Sequence, residues 1–163
     1  GARAILWGPA QPNNVVKTVA LLSVGSGAVT GLPSAAVGME DMLMVRRLLE
    51  RGPVRLHLEL DHDISGPVPV ETVIGEIRGR EPDEWVLVGA HLDAWPAGSG
   101  ANDNGIGVAA VIEAARTLAN APEPPRRTVR FVLWGGEEQG MLGSNAWVAT
   151  HAAELPALAL AIN

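Results

Sequence analysis

The sequence contains no cysteine. Disulfide bridges and thiolate metal ligands are therefore excluded, and any metal this chain holds must be bound through histidine, aspartate and glutamate. Positive charge is scarce: Lys17 is the only lysine among twelve basic residues, and the net charge is −6. That balance argues against a nucleic-acid partner, which needs lysine and arginine gathered on one face. Arg46, Arg47, Arg51 and Arg55 read instead as the solvated side and exit of one helix. Long apolar runs are lacking too. The longest, residues 19–24 and 85–90, are too short to span a bilayer. No charged segment followed by an apolar stretch opens the chain, so no signal peptide is visible. Repeats and low-complexity tracts are also missing. What is present is 163 residues, 47% of them hydrophobic. That is enough for a core, as one domain or as one domain plus part of another.

The pattern breaks near residues 61–69, where Asp61-His62-Asp63 and Ser65-Gly66-Pro67 interrupt it. Before the break, residues 4–7 and 19–24 read as short strands. A helix is predicted from Met39 to about Arg51, with Met42, Val45, Leu48 and Leu49 on one face and Gly52 as its stop. Residues 54–60 alternate apolar and polar, as a half-buried strand does. After the break, strands 72–78 and 85–90 flank the polar turn 79–84, which predicts an antiparallel hairpin. The second strand has almost no polar position and is expected to be buried on both faces. A glycine-rich loop (96–105), a helix (106–120), a proline-rich connector (121–125), a strand (128–134) and a helix (144–151) follow. Strand, loop, helix and strand in that order point to an α/β sheet with a crossover helix.

Three polar sites fall just past strand ends or at a helix start, where α/β enzymes place their ligands. The first is His91-Leu92-Asp93. His91 can ligate zinc as a neutral imidazole, and a carboxylate such as Asp93 can hold the other ring nitrogen and fix the tautomer. Taken alone, His-x-Asp reads as a strand-end histidine and a turn aspartate. The second is Asp103 in Gly100-Ala101-Asn102-Asp103-Asn104-Gly105-Ile106-Gly107. It fits a helix N-cap as well as it fits a carboxylate between two metals, and the loop alone does not choose. The third, Glu137-Glu138, is the sharpest signal. Adjacent carboxylates past a buried strand are costly to desolvate unless a metal takes one of them and activated water occupies the other. Neighbouring positions are expected to point apart, one ligating and one facing the water. If strands 85–90 and 128–134 are neighbours, all three sites meet at one edge. Histidine, aspartate and glutamate without sulfur suit catalytic zinc.

These motifs, with Glu113-Ala114-Ala115-Arg116 and the run Arg127 to Gly140, resemble metallopeptidase family 28, which holds zinc aminopeptidases and carboxypeptidase Q-like enzymes. The match covers roughly residues 70–151. Residues 1–61 look like the latter part of a protease-associated domain, and residues 62–163 like the first half of the catalytic domain. The resemblance implies an α/β three-layer sandwich with a mixed, mostly parallel sheet, truncated here, plus part of a β-rich protease-associated domain. It implies two zinc ions: His91 would bind one, Glu138 the other, and Asp103 would bridge them. Glu137 would be the general base, and Asp93 would orient His91. The family's remaining ligands, an aspartate after the next strand and a late histidine, are expected beyond Asn163, since His151 comes too early. The chain therefore reads as an interior fragment, inactive when isolated. The implied substrate is a peptide or dipeptide cut near its end, in a secreted or periplasmic setting. Two alternatives stand beside this reading. One is a single-zinc acyltransferase like glutaminyl cyclase, whose relatives usually carry Asp-Gly where Gly135-Gly136 stand. The other is a non-catalytic binding module.

Overall fold

A computed structural model of the chain describes residues 1–8, 11–16, 31–61, 66–96 and 98–163. It divides into two compact units, the first reaching Val68 and the second including Pro69–Asn163. In the first unit, β1 (Ile5–Trp7) pairs in parallel with β2 (Ser34–Ala36), and α1 (Met39–Leu49) follows. The Glu40 carboxylate accepts the backbone N–H groups of Asn13 and Asn14, which ties the preceding loop to the first turn of α1. The expected strand at 19–24 lies outside the described residues. The one expected at 54–60 is corrected: residues 53–60 form no strand, and Leu56, Leu58 and Leu60 are exposed. Alternation marks a face, but a strand also needs a partner ladder, and none is present among the described residues.

The second unit is a four-stranded sheet in the order β3-β5-β4-β6, formed by Val73–Ile77, Thr128–Trp134, Trp85–His91 and Leu158–Ile162 respectively. β4, β5 and β6 run parallel, and β3 is antiparallel to β5. The expected hairpin of β3 with β4 is therefore corrected, because β5 lies between them. The turn after β3 does not close on β4. Its Arg80 and Glu81 N–H groups bond to the carbonyls of Pro125 and Arg126, and the Gly79 N–H bonds to Thr128 Oγ1. Those bonds align β3 with the entry to β5. β4, apolar on both faces, takes an inner place with a neighbour on each side, as a doubly buried strand should.

Helices cover both faces, making three layers. On one face α2 (Ile106–Ala119) presents Val108, Val111, Ala115 and Leu118 at helical spacing to Ala90 and Phe131. On the other, Trp147 of α3 (Leu142–Thr150) packs on Trp85, Leu87, Val132 and Trp134. Trp147 meets Trp85 and Trp134 edge-on, with ring centroids 5.9 and 5.8 Å away. Replacing a tryptophan buried in this way by alanine costs on the order of 3–5 kcal/mol. The β4–β5 register sets His91 opposite Trp134, so both strands end at the same height.

Candidate active site

His91 closes β4 at 8% exposure, and its two ring nitrogens meet different partners. Nδ1 lies 2.9 Å from the Asp93 carbonyl oxygen and 3.8 Å from the Asp93 carboxylate. The nearer group, the carbonyl, can only accept a hydrogen bond, so this geometry favours the Nδ1–H tautomer, which leaves the Nε2 lone pair open to a metal. Nε2 lies 2.9 Å from Asp103 Oδ1 and 3.9 Å from Glu137 Oε2. Burial pulls the His91 pKa down, but the Asp93 carbonyl and the charges of Glu137 and Asp103 outweigh it, and the net shift is upward.

The Asp93 carboxylate does something the sequence did not suggest. It accepts the backbone N–H of Glu137 at 3.0 Å with one oxygen and that of Glu138 at 3.1 Å with the other. Asp93 thus fixes His91 through its carbonyl and the Glu137-Glu138 turn through its side chain. The only sequence signal for the second role was its place two residues past a strand end, level with that turn.

The turn itself depends on glycine. Gly136 has φ +68° and Gly140 has φ +106°, conformations open to glycine at little cost. A Cβ on Gly135 would stand 2.2 Å from the Glu71 carbonyl oxygen. Because this backbone is turned and not extended, the two glutamates do not point apart, which corrects the expectation from neighbouring positions. One atom each of His91, Glu137 and Glu138 that could ligate a metal lie within 4.8 Å of one another. Burial, then the charges of Asp103 and Glu137, push the Glu138 pKa up, and Glu138 Oε1 is buried with no hydrogen-bond partner among the described residues.

Asp103 does not cap α2. That helix starts at Ile106 with no side-chain cap, and Asp103 has non-helical backbone angles, φ −125° and ψ 93°. Its exposed carboxylate turns back to His91 instead. With Glu138, Trp95 and the loop residues 98–102 it lines a cavity of about 240 Å³. Trp95 is a cavity residue that sequence reasoning passed over, since an aromatic in a loop has no distinguishing pattern. Glu113 and Arg116 form an exposed ion pair on α2 and take no part in the cluster. His151 stacks on Trp147 at 4.4 Å and is likewise outside it.

The donor set fits zinc. It offers imidazole nitrogen and carboxylate oxygens at one sheet edge, and it includes a buried carboxylate oxygen that nothing in the described chain satisfies.

The family model for peptidase family M28 matches residues 72–163. Carboxypeptidase Q of Mus musculus is 36% identical over 129 residues, which are 78% of this chain and 27% of that protein. A probable lipoprotein aminopeptidase, LpqL, of Mycobacterium tuberculosis is 47% identical over 76 residues, 47% of this chain and 15% of its own length. Among solved structures, a zinc aminopeptidase from Bacillus subtilis superposes with a TM-score of 0.74 at 28% identity, covering 100% of this chain and 38% of that one. The chain thus spans about a quarter of the length of the mouse relative.

Proposed function

The chain belongs to peptidase family M28, and from that premise we propose that it serves in zinc-dependent hydrolysis of a peptide bond near a chain end. The observation that carries the reading is the convergence of His91, Glu137 and Glu138 within 4.8 Å, around a buried oxygen of Glu138 that has no hydrogen-bond partner among the described residues. His91, Asp103 and Glu138 would hold the metal, with Asp103 shared between two ions. Zinc, when bound, supplies a Lewis acid that polarises the scissile carbonyl and eases the ionisation of water. Glu137 remains as the base: it takes the proton of the attacking water and returns it to the leaving amine. Asp93 holds both halves of this arrangement, the His91 tautomer and the backbone of the Glu137-Glu138 turn. The substrate is a peptide or dipeptide, a reading supported by relatives named as a carboxypeptidase and an aminopeptidase. The relative described as a lipoprotein supports a setting outside the cytoplasm. For residues 1–61 we propose the latter part of a protease-associated module, on sequence resemblance.

The test is Glu137→Gln in the intact protein. A base contributes rate and not metal affinity, so this variant should keep the parent's zinc content while losing about 10²–10⁴-fold in kcat. Loss of zinc from Glu137→Gln, with retention in Glu138→Gln, would exchange the two roles. Metal analysis of the parent also discriminates: two ions fit this reading, one fits a cyclase-like acyltransferase, and none fits a binding module.

A further inference from the structure

Trp134 is the last residue of β5, and it touches the ends of both other parallel strands. Its backbone carbonyl accepts the N–H of Leu92, the residue between His91 and Asp93, at 2.6 Å. Its indole N–H donates to the side-chain oxygen of Asn163, just past β6, at 3.0 Å. To get there the indole crosses β4 at Gly89. A Cβ on Gly89 would stand 2.7 Å from the indole nitrogen and 2.9 Å from the Asn163 oxygen, so only glycine leaves room for the bond. The ring cannot simply swing away, because it is buried and held edge-on by Trp147.

The bond falls where the sheet needs fixing. The ladder of β6 to β4 has a register irregularity between Trp85 and Val86. An imperfect ladder holds register weakly, and a slip of one residue exchanges a strand's two faces. We infer that Trp134, Gly89 and Asn163 form a strap across the carboxyl ends of β5, β4 and β6, and that Trp134 is a positioning residue for the metal site. The strap sets the height at which each strand releases its loop. Trp134 is three residues before Glu137 and opposite His91, so a shift at the strap moves both. This inference rests on the zinc reading above.

Zinc alone is the probe, titrated calorimetrically into the intact protein. The visible spectrum of the cobalt-substituted protein provides a second readout, of ligand geometry. Trp134→Phe keeps an aromatic ring but removes the N–H and part of the indole's buried volume. Its thermal midpoint should fall, through the lost hydrogen bond and the space the smaller ring leaves. Its zinc affinity should fall about tenfold, the lower end of what loss of a ligand-orienting partner costs, and its cobalt bands should shift. Trp134→Phe combined with Asn163→Leu removes both partners. That double variant should not regain the zinc affinity. Parental zinc affinity and cobalt bands in Trp134→Phe, or recovery of both in the double variant, would overturn the strap. Asn163→Leu breaks the same bond and leaves the packing of the indole in place, so it carries the same expectation for zinc affinity and cobalt bands, and it stands in if Trp134→Phe does not fold. His91→Ala separates the two readings. If it binds zinc as the parent does, the site reading itself has failed. If it loses zinc while Trp134→Phe behaves as the parent, only the strap has failed.

Discussion

At the scale of single residues, Asp93 carries the most weight for its size. A carboxylate can accept two N–H groups at once, one per oxygen, as Asp93 does with Glu137 and Glu138. An asparagine cannot, since its amide nitrogen would face one of the donors. Asp93→Asn is therefore expected to lower unfolding free energy by about 1.5–3 kcal/mol, the range for a hydrogen bond to a charged group. Urea unfolding of the metal-free protein checks it, and a midpoint equal to the parent's would show that the turn stands without this bond. The five candidate residues, His91, Asp93, Asp103, Glu137 and Glu138, were all legible as residue types past strand ends or at a helix start. Their mutual aim was not. Whether Asp103 caps a helix or faces His91 depends on two backbone angles within one loop. Whether neighbouring glutamates diverge depends on the glycines beside them adopting left-handed φ, which composition permits but does not dictate.

At the scale of elements, β4, β5 and α2 were legible nearly to the residue, because each has a long pattern with a clear period. Pairing partners were harder. Two apolar strands joined by a polar turn look like a hairpin from sequence, yet a strand buried on both faces also needs a second neighbour, and that neighbour comes from about forty residues further on. The ion pairs that hold the edges were also hidden, since their partners are far apart in sequence. Arg130 of β5 binds Glu76 of β3 at 2.8 Å and Glu154 at 2.5 Å, while its guanidinium lies 4.6 Å above the Trp85 ring. The bond to Arg130 holds the Glu154 pKa below its ordinary 4.5. A carboxylate with a lowered folded pKa adds stability that is present above the unfolded value and is lost as pH falls through the folded one. The thermal midpoint should thus fall as pH drops below 4.5, and fall less steeply in Glu154→Gln. Parallel curves for the two proteins would remove Glu154 from the account of acid unfolding.

At the scale of the whole molecule, the five candidate residues sit at the end of β4 and in the two connections that follow β4 and β5, all within the second unit, so metal bound there is thermodynamically linked to that unit's fold. A ligand that binds only the folded state stabilises it by mass action, by about 2.7 kcal/mol at a hundred times its dissociation constant. That corresponds to a rise in thermal midpoint of several degrees or more. Scanning calorimetry with and without zinc should show that rise for the parent and none for His91→Ala. Equal rises in both would indicate metal held elsewhere. The arrangement of aromatic rings has an optical consequence. The chain has five tryptophans and no tyrosine, so its near-ultraviolet emission comes from indole alone. Three of the five are stacked edge to face in the interior, where coupled rings give a circular-dichroism band of their own. Trp95 stands apart from that stack and shares the cavity wall with Asp103 and Glu138. Light absorbed by this protein is therefore emitted from three different surroundings: the packed sheet, the charge gathered at its edge, and the half-exposed end of β1 at Trp7.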